Sequence, residues 1–195
     1  MAADLGLNAR DEYGDTPLHF AAEDNENPEI IMALLAAGAD LNARNKYGYT
    51  PLHFAAYFNK DPEVIRALLA AGADPNAPRD KDDGRTPLHC AALQNENSRV
   101  TMALLAAGAN IDARDITGRT PLHFAAGNNE NSRVTMALLA AGADLNAPSM
   151  HGYTPLCWAA RQNKNLEGSQ STAGCRCRPQ SARPEWQHPI RPHRR

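Results

Sequence analysis

The apolar and polar positions of this chain repeat as a short motif with a helical period. Thr16-Pro17-Leu18-His19-Phe20-Ala21-Ala22 begins with a residue able to cap a helix and a proline suited to its first turn, so a short helix is expected from about Thr16. Asn27-Pro28-Glu29 repeats the cap-and-proline signal. Ile30, Ile31, Leu34 and Leu35 then fall at helical spacing, and Gly38 offers a left-handed stop. Between Asp40 and Tyr49 the chain is polar and contains glycine, which predicts an extended finger or hairpin-like turn. The same pattern returns along the chain. Thr-Pro-Leu starts at Thr16, Thr50, Thr86, Thr120 and Thr154, in steps of 34, 36, 34 and 34 residues. Gly38, Gly72, Gly108 and Gly142 keep that step, as do Asn25, Asn59, Asn95, Asn129 and Asn163. A unit of helix, turn, helix and finger buries too little apolar surface to stand alone, so neighbours must stack into a quasi-one-dimensional array.

These residues resemble the ankyrin-repeat family. Gly48-Tyr49-Thr50-Pro51-Leu52-His53-Phe54-Ala55-Ala56, followed by Leu68-Leu69-Ala70-Ala71-Gly72-Ala73-Asp74-Pro75-Asn76-Ala77, is nearly the family pattern, and the resemblance runs from about Leu7 to Asn165. It implies an all-α solenoid of helix-turn-helix units with hairpin-like fingers at right angles to the helices. Two departures stand out: Asn25-Glu26-Asn27 adds one residue between the helices, and Pro78 to Gly84 lengthens one finger by two.

Past Glu167 the template fails. Gly168 stands where Ile30, Val64, Val100 and Val134 stand in earlier copies, and 168–195 is rich in Arg, Pro, Gln and Ser. The chain is therefore divided into an array over 1–167, four repeats and a truncated fifth, and a basic disordered tail over 168–195. The tail reads as a frameshifted repeat. Permitted codons for Ala173 to Arg195, read one base later, spell Leu-Ala-Ala-Gly-Ala-Asp and then a Thr-Pro, each 34 residues beyond Gly142 and Thr154. Trp186 has a single codon, so its shifted triplet must encode the glycine that Gly152 plus one period predicts. The truncation should expose apolar surface in the fifth repeat and let it fray from Tyr153 onward.

Charge narrows the function classes. The net charge is −2, but 168–195 holds six Arg and one Glu, which leaves the array acidic and without reason to seek a phosphate backbone. No nucleic-acid partner is expected. No apolar stretch approaches the ~20 residues of a spanning helix, so no membrane partner is expected either. The four cysteines, at 90, 157, 175 and 177, frame no disulfide scaffold and point to a reducing, cytoplasmic setting.

The four histidines at 19, 53, 89 and 123, one per repeat, do not read as a metal ladder. Stacked helices lie about 10 Å apart, whereas zinc gathers its ligands within about 2.0–2.3 Å of one point. The family resemblance gives these histidines a locking role, bonded to backbone and to the nearby threonine. It also implies that Cys157 leaves the fifth repeat less tightly locked. Phe20, Phe54, Cys90, Phe124 and Trp158 share one position and read as core packing between helix layers. Asp80, Asp82 and Asp83 lack the alternating ligands of a calcium loop. No catalytic, cofactor or metal site is expected, and the chain does not read as an enzyme.

The tyrosines lie in the fingers or just after Ala-Ala, positions that the resemblance turns toward a concave groove and none of which belongs to the expected core. Tyr47, Tyr49, Tyr57 and Phe58 form the expected contact patch, with Tyr13 and Tyr153 in related positions. Arg44, Lys46, Arg79, Arg85, Arg114 and Arg119 are expected to supply charge around it. The expected function is a non-catalytic scaffold binding a protein partner through finger tips and inner-helix face, as a monomer with a route to association through its exposed last repeat. The alternatives are a regulatory or targeting fragment of a larger repeat-containing enzyme, or a truncated remnant without function.

Overall fold

The computed structural model describes residues 6–24, 27–80, 83–128 and 132–162. The tail, and with it the frameshift, lies outside the described residues.

Each Thr-Pro-Leu motif starts an inner helix: α1 Pro17–Asp24, α3 Pro51–Phe58, α5 Pro87–Gln94, α7 Pro121–Asn128 and α9 Pro155–Gln162. Each of the first four is followed by an outer helix: α2 Pro28–Ala36, α4 Pro62–Ala70, α6 Ser98–Ala106 and α8 Ser132–Ala140. The described residues contain no strand, and the fingers between units are turns. Asn27, Asp61 and Asn97 cap outer helices by accepting a backbone N–H two residues on. Gly38 and its copies close those helices with positive φ.

Inner helix packs on neighbouring inner helix and outer on neighbouring outer, so the main contacts of each unit are with its sequence neighbours. Leu18, Leu52, Leu88 and Leu122 fill one continuous core with Ile31, Ile65, Leu68, Leu104 and Leu138. The extra residue between the helices proves to be structural. Asn59 donates its side-chain amide to the Ala22 carbonyl at 3.1 Å, and Asn95 donates to the carbonyls of Ala56 and Asn59 at 3.0 and 2.8 Å. These two asparagines are buried and tie the second unit to the first and the third to the second.

The shared aromatic position needs correction at its first member. Phe54, Cys90 and Phe124 are buried, but Phe20 is exposed and Trp158 half-buried. The side chain at this position packs against the preceding unit: Phe54 meets the edge of His19 and Phe124 that of His89. Phe20, 37% exposed, stands on the first described inner helix.

Candidate functional site

Every histidine at the third position of an inner helix is held at both nitrogens. His53 Nδ1 accepts the Thr50 backbone N–H at 3.2 Å and lies 2.8 Å from the Thr50 hydroxyl, and its Nε2 reaches the Arg85 carbonyl of the next unit at 3.3 Å. His19, His89 and His123 repeat this with the carbonyls of Tyr49, Arg119 and Tyr153. Because Nδ1 accepts an N–H, the proton must sit on Nε2, and the ring is neutral. Burial depresses these rings, His53 to about 3 and His89 to about 4, despite the opposing pull of the accepting carbonyls. Neither nitrogen is left for a metal.

The fingers depend on a second recurring device. Asp11, Asn45 and Asp115 each accept two backbone N–H groups of their own finger. The lengthened third finger carries Arg79 at this position instead. Its buried guanidinium donates to the Tyr49 hydroxyl at 2.7 Å, covers the Tyr49 ring at 4.6 Å and pairs with Asp83 at 2.9 Å. The inserted residues thus supply the carboxylate that a buried arginine requires.

The expected contact residues fall into three groups. Tyr47, Tyr57 and Phe58 stay half-buried: Tyr57 tilts against Phe58 at 4.5 Å, and Phe58 meets Phe54 at 5.8 Å. Tyr13 is half-buried on the first finger, its carbonyl accepting the N–H of exposed Lys46, and Tyr153 is half-buried on the fifth. Tyr49 turns inward, edge-on to His53 and Phe54, and burial raises its pKa. Tyr49 and Tyr57 both pack against the core cluster, which corrects the expectation that no tyrosine belongs to it.

The arginines serve the array itself. Arg44 donates to its own finger's Gly48 carbonyl and to Pro78 of the next, and Arg114 does the same with Gly118 and Pro148. Arg85 pairs with Asp83 at 3.0 Å and Arg119 with Asp115 at 2.8 Å, while both guanidinium groups cover the Phe124 ring at 4.9 Å. Burial raises the Asp83 carboxyl against the pull of both arginines. For Asp115, burial is outweighed by Arg119 and Thr117, and the pKa falls. Arg79, Arg85 and Arg119 are therefore already paired with aspartates, which sequence spacing alone did not reveal, while Arg44, Lys46 and Arg114 stay exposed.

The family description of three-copy ankyrin repeats matches residues 2–79, 18–115, 59–148 and 93–170, overlapping windows that span nearly the whole array. The chain belongs to the ankyrin-repeat family. Ankyrin repeats generally mediate protein–protein interaction, and the fold is typically non-catalytic. No curated protein matches the chain in sequence. Within this array, no helix of the described residues is long and apolar enough to cross a membrane.

Proposed function

We propose that this ankyrin array is a non-catalytic scaffold that recognises a protein partner through the inner-helix face and finger tips of its second repeat. The observation that carries the reading is the aromatic cluster Tyr57, Phe58, Phe54 and Tyr49, whose rings meet edge to face or tilted and whose innermost hydroxyl is held by Arg79. A surface already ordered by its own packing loses little side-chain entropy on binding. Half-buried aromatic side chains provide wide contact area at few rotatable bonds. Tyr13, Tyr47, Lys46 and Tyr153 extend the face along the fingers. Since Arg79, Arg85 and Arg119 are paired with aspartates, the segment seated at the aromatic cluster is apolar and hydrogen-bonding, and exposed Arg44, Lys46 and Arg114 leave positive charge along the finger tips. The buried free cysteines Cys90 and Cys157 agree with a cytoplasmic setting.

The test is affinity capture with the full chain and with a Tyr47→Ala, Tyr57→Ala, Phe58→Ala variant, keeping Tyr49 because its hydroxyl is the partner of buried Arg79 and its ring packs on His53 and Phe54. Loss of specific captured proteins, with the circular dichroism spectrum retained, supports the assignment. An unchanged set removes it.

A further inference from the structure

The last two residues of each inner helix stand one period apart and form a strip across neighbouring units. On α1 they are Glu23 and Asp24, on α3 Tyr57 and Phe58, and on α5 Leu93 and Gln94. All six reach the surface: Asp24 and Gln94 are exposed and the other four half-buried. On α7 the first of the two places holds Gly127, which is buried, and a Cβ added there would lie 3.1 Å from the Trp158 ring. Trp158 thus takes up on α7 the space that a side chain occupies on the first three inner helices. The strip offers its side chains over three units and ends under that ring.

Its chemistry changes along the array: two carboxylates, then two aromatic rings tilted against each other at 4.5 Å, then an aliphatic side chain beside an amide. Exposed Glu12, on the finger of the first unit, adds to the acidic end, whereas the cations Arg44 and Lys46 belong to the finger of the second. A charge gradient of this kind steers and orients a partner that is basic at one end. The three stations are spaced as packed helices are, about 8–10 Å apart. A segment that touches them in turn must present side chains on one side at that interval. A fully extended chain places same-side residues two apart, at about 6.6 Å, or four apart, at about 13 Å, and misses it. A polyproline II helix has three residues per turn and places every third side chain on one side at about 9.3 Å.

We propose that this strip binds a polyproline II segment with a basic residue three positions before an apolar one, the basic side chain meeting Glu23 and Asp24 and the apolar one seated on Tyr57 and Phe58. A second apolar residue, three positions further on, lies against Leu93. The proposal rests on the aromatic cluster being the partner site and adds the partner's chemistry and direction. The backbone of such a segment makes no internal hydrogen bonds, so its carbonyls accept from the Tyr57 hydroxyl and the Gln94 amide. Its stiffness limits the entropy lost on binding, and aromatic-lined grooves suit its proline rings.

Fluorescence anisotropy of labelled, end-capped peptides with the full chain tests this. Arg-Pro-Pro-Leu-Pro-Pro-Leu should bind. Replacing its arginine by glutamate should weaken binding about tenfold, the scale of one charge-assisted hydrogen bond. Arg-Pro-Leu-Pro-Pro-Leu, which turns the arginine to another side of the helix, should weaken it as much. Asp24→Lys, at an exposed helix end, should reverse the preference between the arginine and glutamate peptides with an unchanged circular dichroism spectrum. Tyr57→Ala, Phe58→Ala, with its spectrum retained, should bind none of them. No binding of the first peptide overturns the proposal, and equal binding of the two arginine peptides overturns the polyproline II register. If the arginine and glutamate peptides bind alike and Asp24→Lys changes neither, the acidic station is wrong, while loss in Tyr57→Ala, Phe58→Ala still upholds the aromatic cluster as the partner site. Binding that survives Tyr57→Ala, Phe58→Ala overturns both.

Discussion

The second and fifth repeats start from nearly the same words, Tyr49-Thr50-Pro51-Leu52-His53-Phe54-Ala55-Ala56 and Tyr153-Thr154-Pro155-Leu156-Cys157-Trp158-Ala159-Ala160, and reach different physical states. Both form an eight-residue helix. In the second, Leu52 is sealed and Thr50 and His53 cap each other while the ring reaches forward to the next finger. In the fifth, Leu156 lies open, and the Thr154 hydroxyl donates to the Cys157 sulfur at 3.5 Å and accepts its backbone N–H at 3.4 Å, with no ring to reach forward. The finger glycines make the same point. Gly48 and Gly152 share a φ of 77°, but a Cβ on Gly48 would collide with the Arg79 carbonyl, while around Gly152 no described residue comes within 4 Å. Helix formation in this array belongs to the local motif, and burial belongs to the neighbour.

The largest consequence concerns the leucines. Leu52→Ala removes a fully enclosed side chain from a core that cannot collapse around the gap and is expected to cost about 3–5 kcal/mol. The chemically identical Leu156→Ala is expected to cost less than about 1 kcal/mol. Urea denaturation of the full chain, followed by circular dichroism, compares them; equal losses would mean that the fifth repeat is as enclosed as the second.

The histidine lock separates the two repeats by pH. Folded His53 and His89 titrate near 3 and 4, below the ordinary 6.5, because burial penalises the charged ring. Between pH 6.5 and about 4 the unfolded chain therefore binds protons that the folded chain refuses. The contribution of each ring is fully present above 6.5 and is lost as the solution is acidified. At about 1.4 kcal/mol per pH unit per ring, moving from pH 6.5 to 5 should remove about 2 kcal/mol for each of the two. Folded-state pKa values of His19 and His123 are also lowered by burial and add to the same slope, whereas Cys157 gives the fifth repeat no part in it. Urea midpoints that stay level from pH 7 to 5 would contradict the neutral, locked rings.

How much of this was legible in the sequence follows from the range of each interaction. Thr-Pro-Leu, the outer-helix caps and the left-handed glycines act within one unit, so the spacing of Thr16, Thr50, Thr86, Thr120 and Thr154 was enough to place the helices. The Arg79 contact with Tyr49 joins residues 30 apart through a finger that breaks the period, and no local pattern announces it. A signal existed in retrospect: Arg79 occupies the position of Asp11, Asn45 and Asp115, and the added aspartate Asp83 lies within reach to pair with it. The asparagine ladder was visible as a recurrence at Asn59 and Asn95, but its partners are backbone carbonyls, which carry no residue signature. Among the candidate contact residues, sequence reasoning missed the inward turn of Tyr49 and the pairing of Arg79, Arg85 and Arg119 with aspartates. Whether a guanidinium faces solvent or an aspartate depends on the fold of the neighbouring finger.

The smallest effect distinguishes units within the interior. Ile31 and Ile65 are fully buried on the outer helices, and Thr101 takes the same place in the third repeat, equally buried, with its hydroxyl making no hydrogen bond. A desolvated hydroxyl without a partner is a standing cost. Thr101→Val keeps the branched shape, removes that hydroxyl and should stabilise the full chain by about 1 kcal/mol in urea denaturation. Thr135, its half-buried copy in the fourth repeat, should change by less than about 0.5 kcal/mol on the same substitution. Since α6 Ser98–Ala106 and α8 Ser132–Ala140 have identical sequences, any gap between the two responses measures enclosure alone, with helix propensity cancelled. A gain at Thr135 as large as that at Thr101 would show that the hydroxyl's desolvation is not what separates the sites.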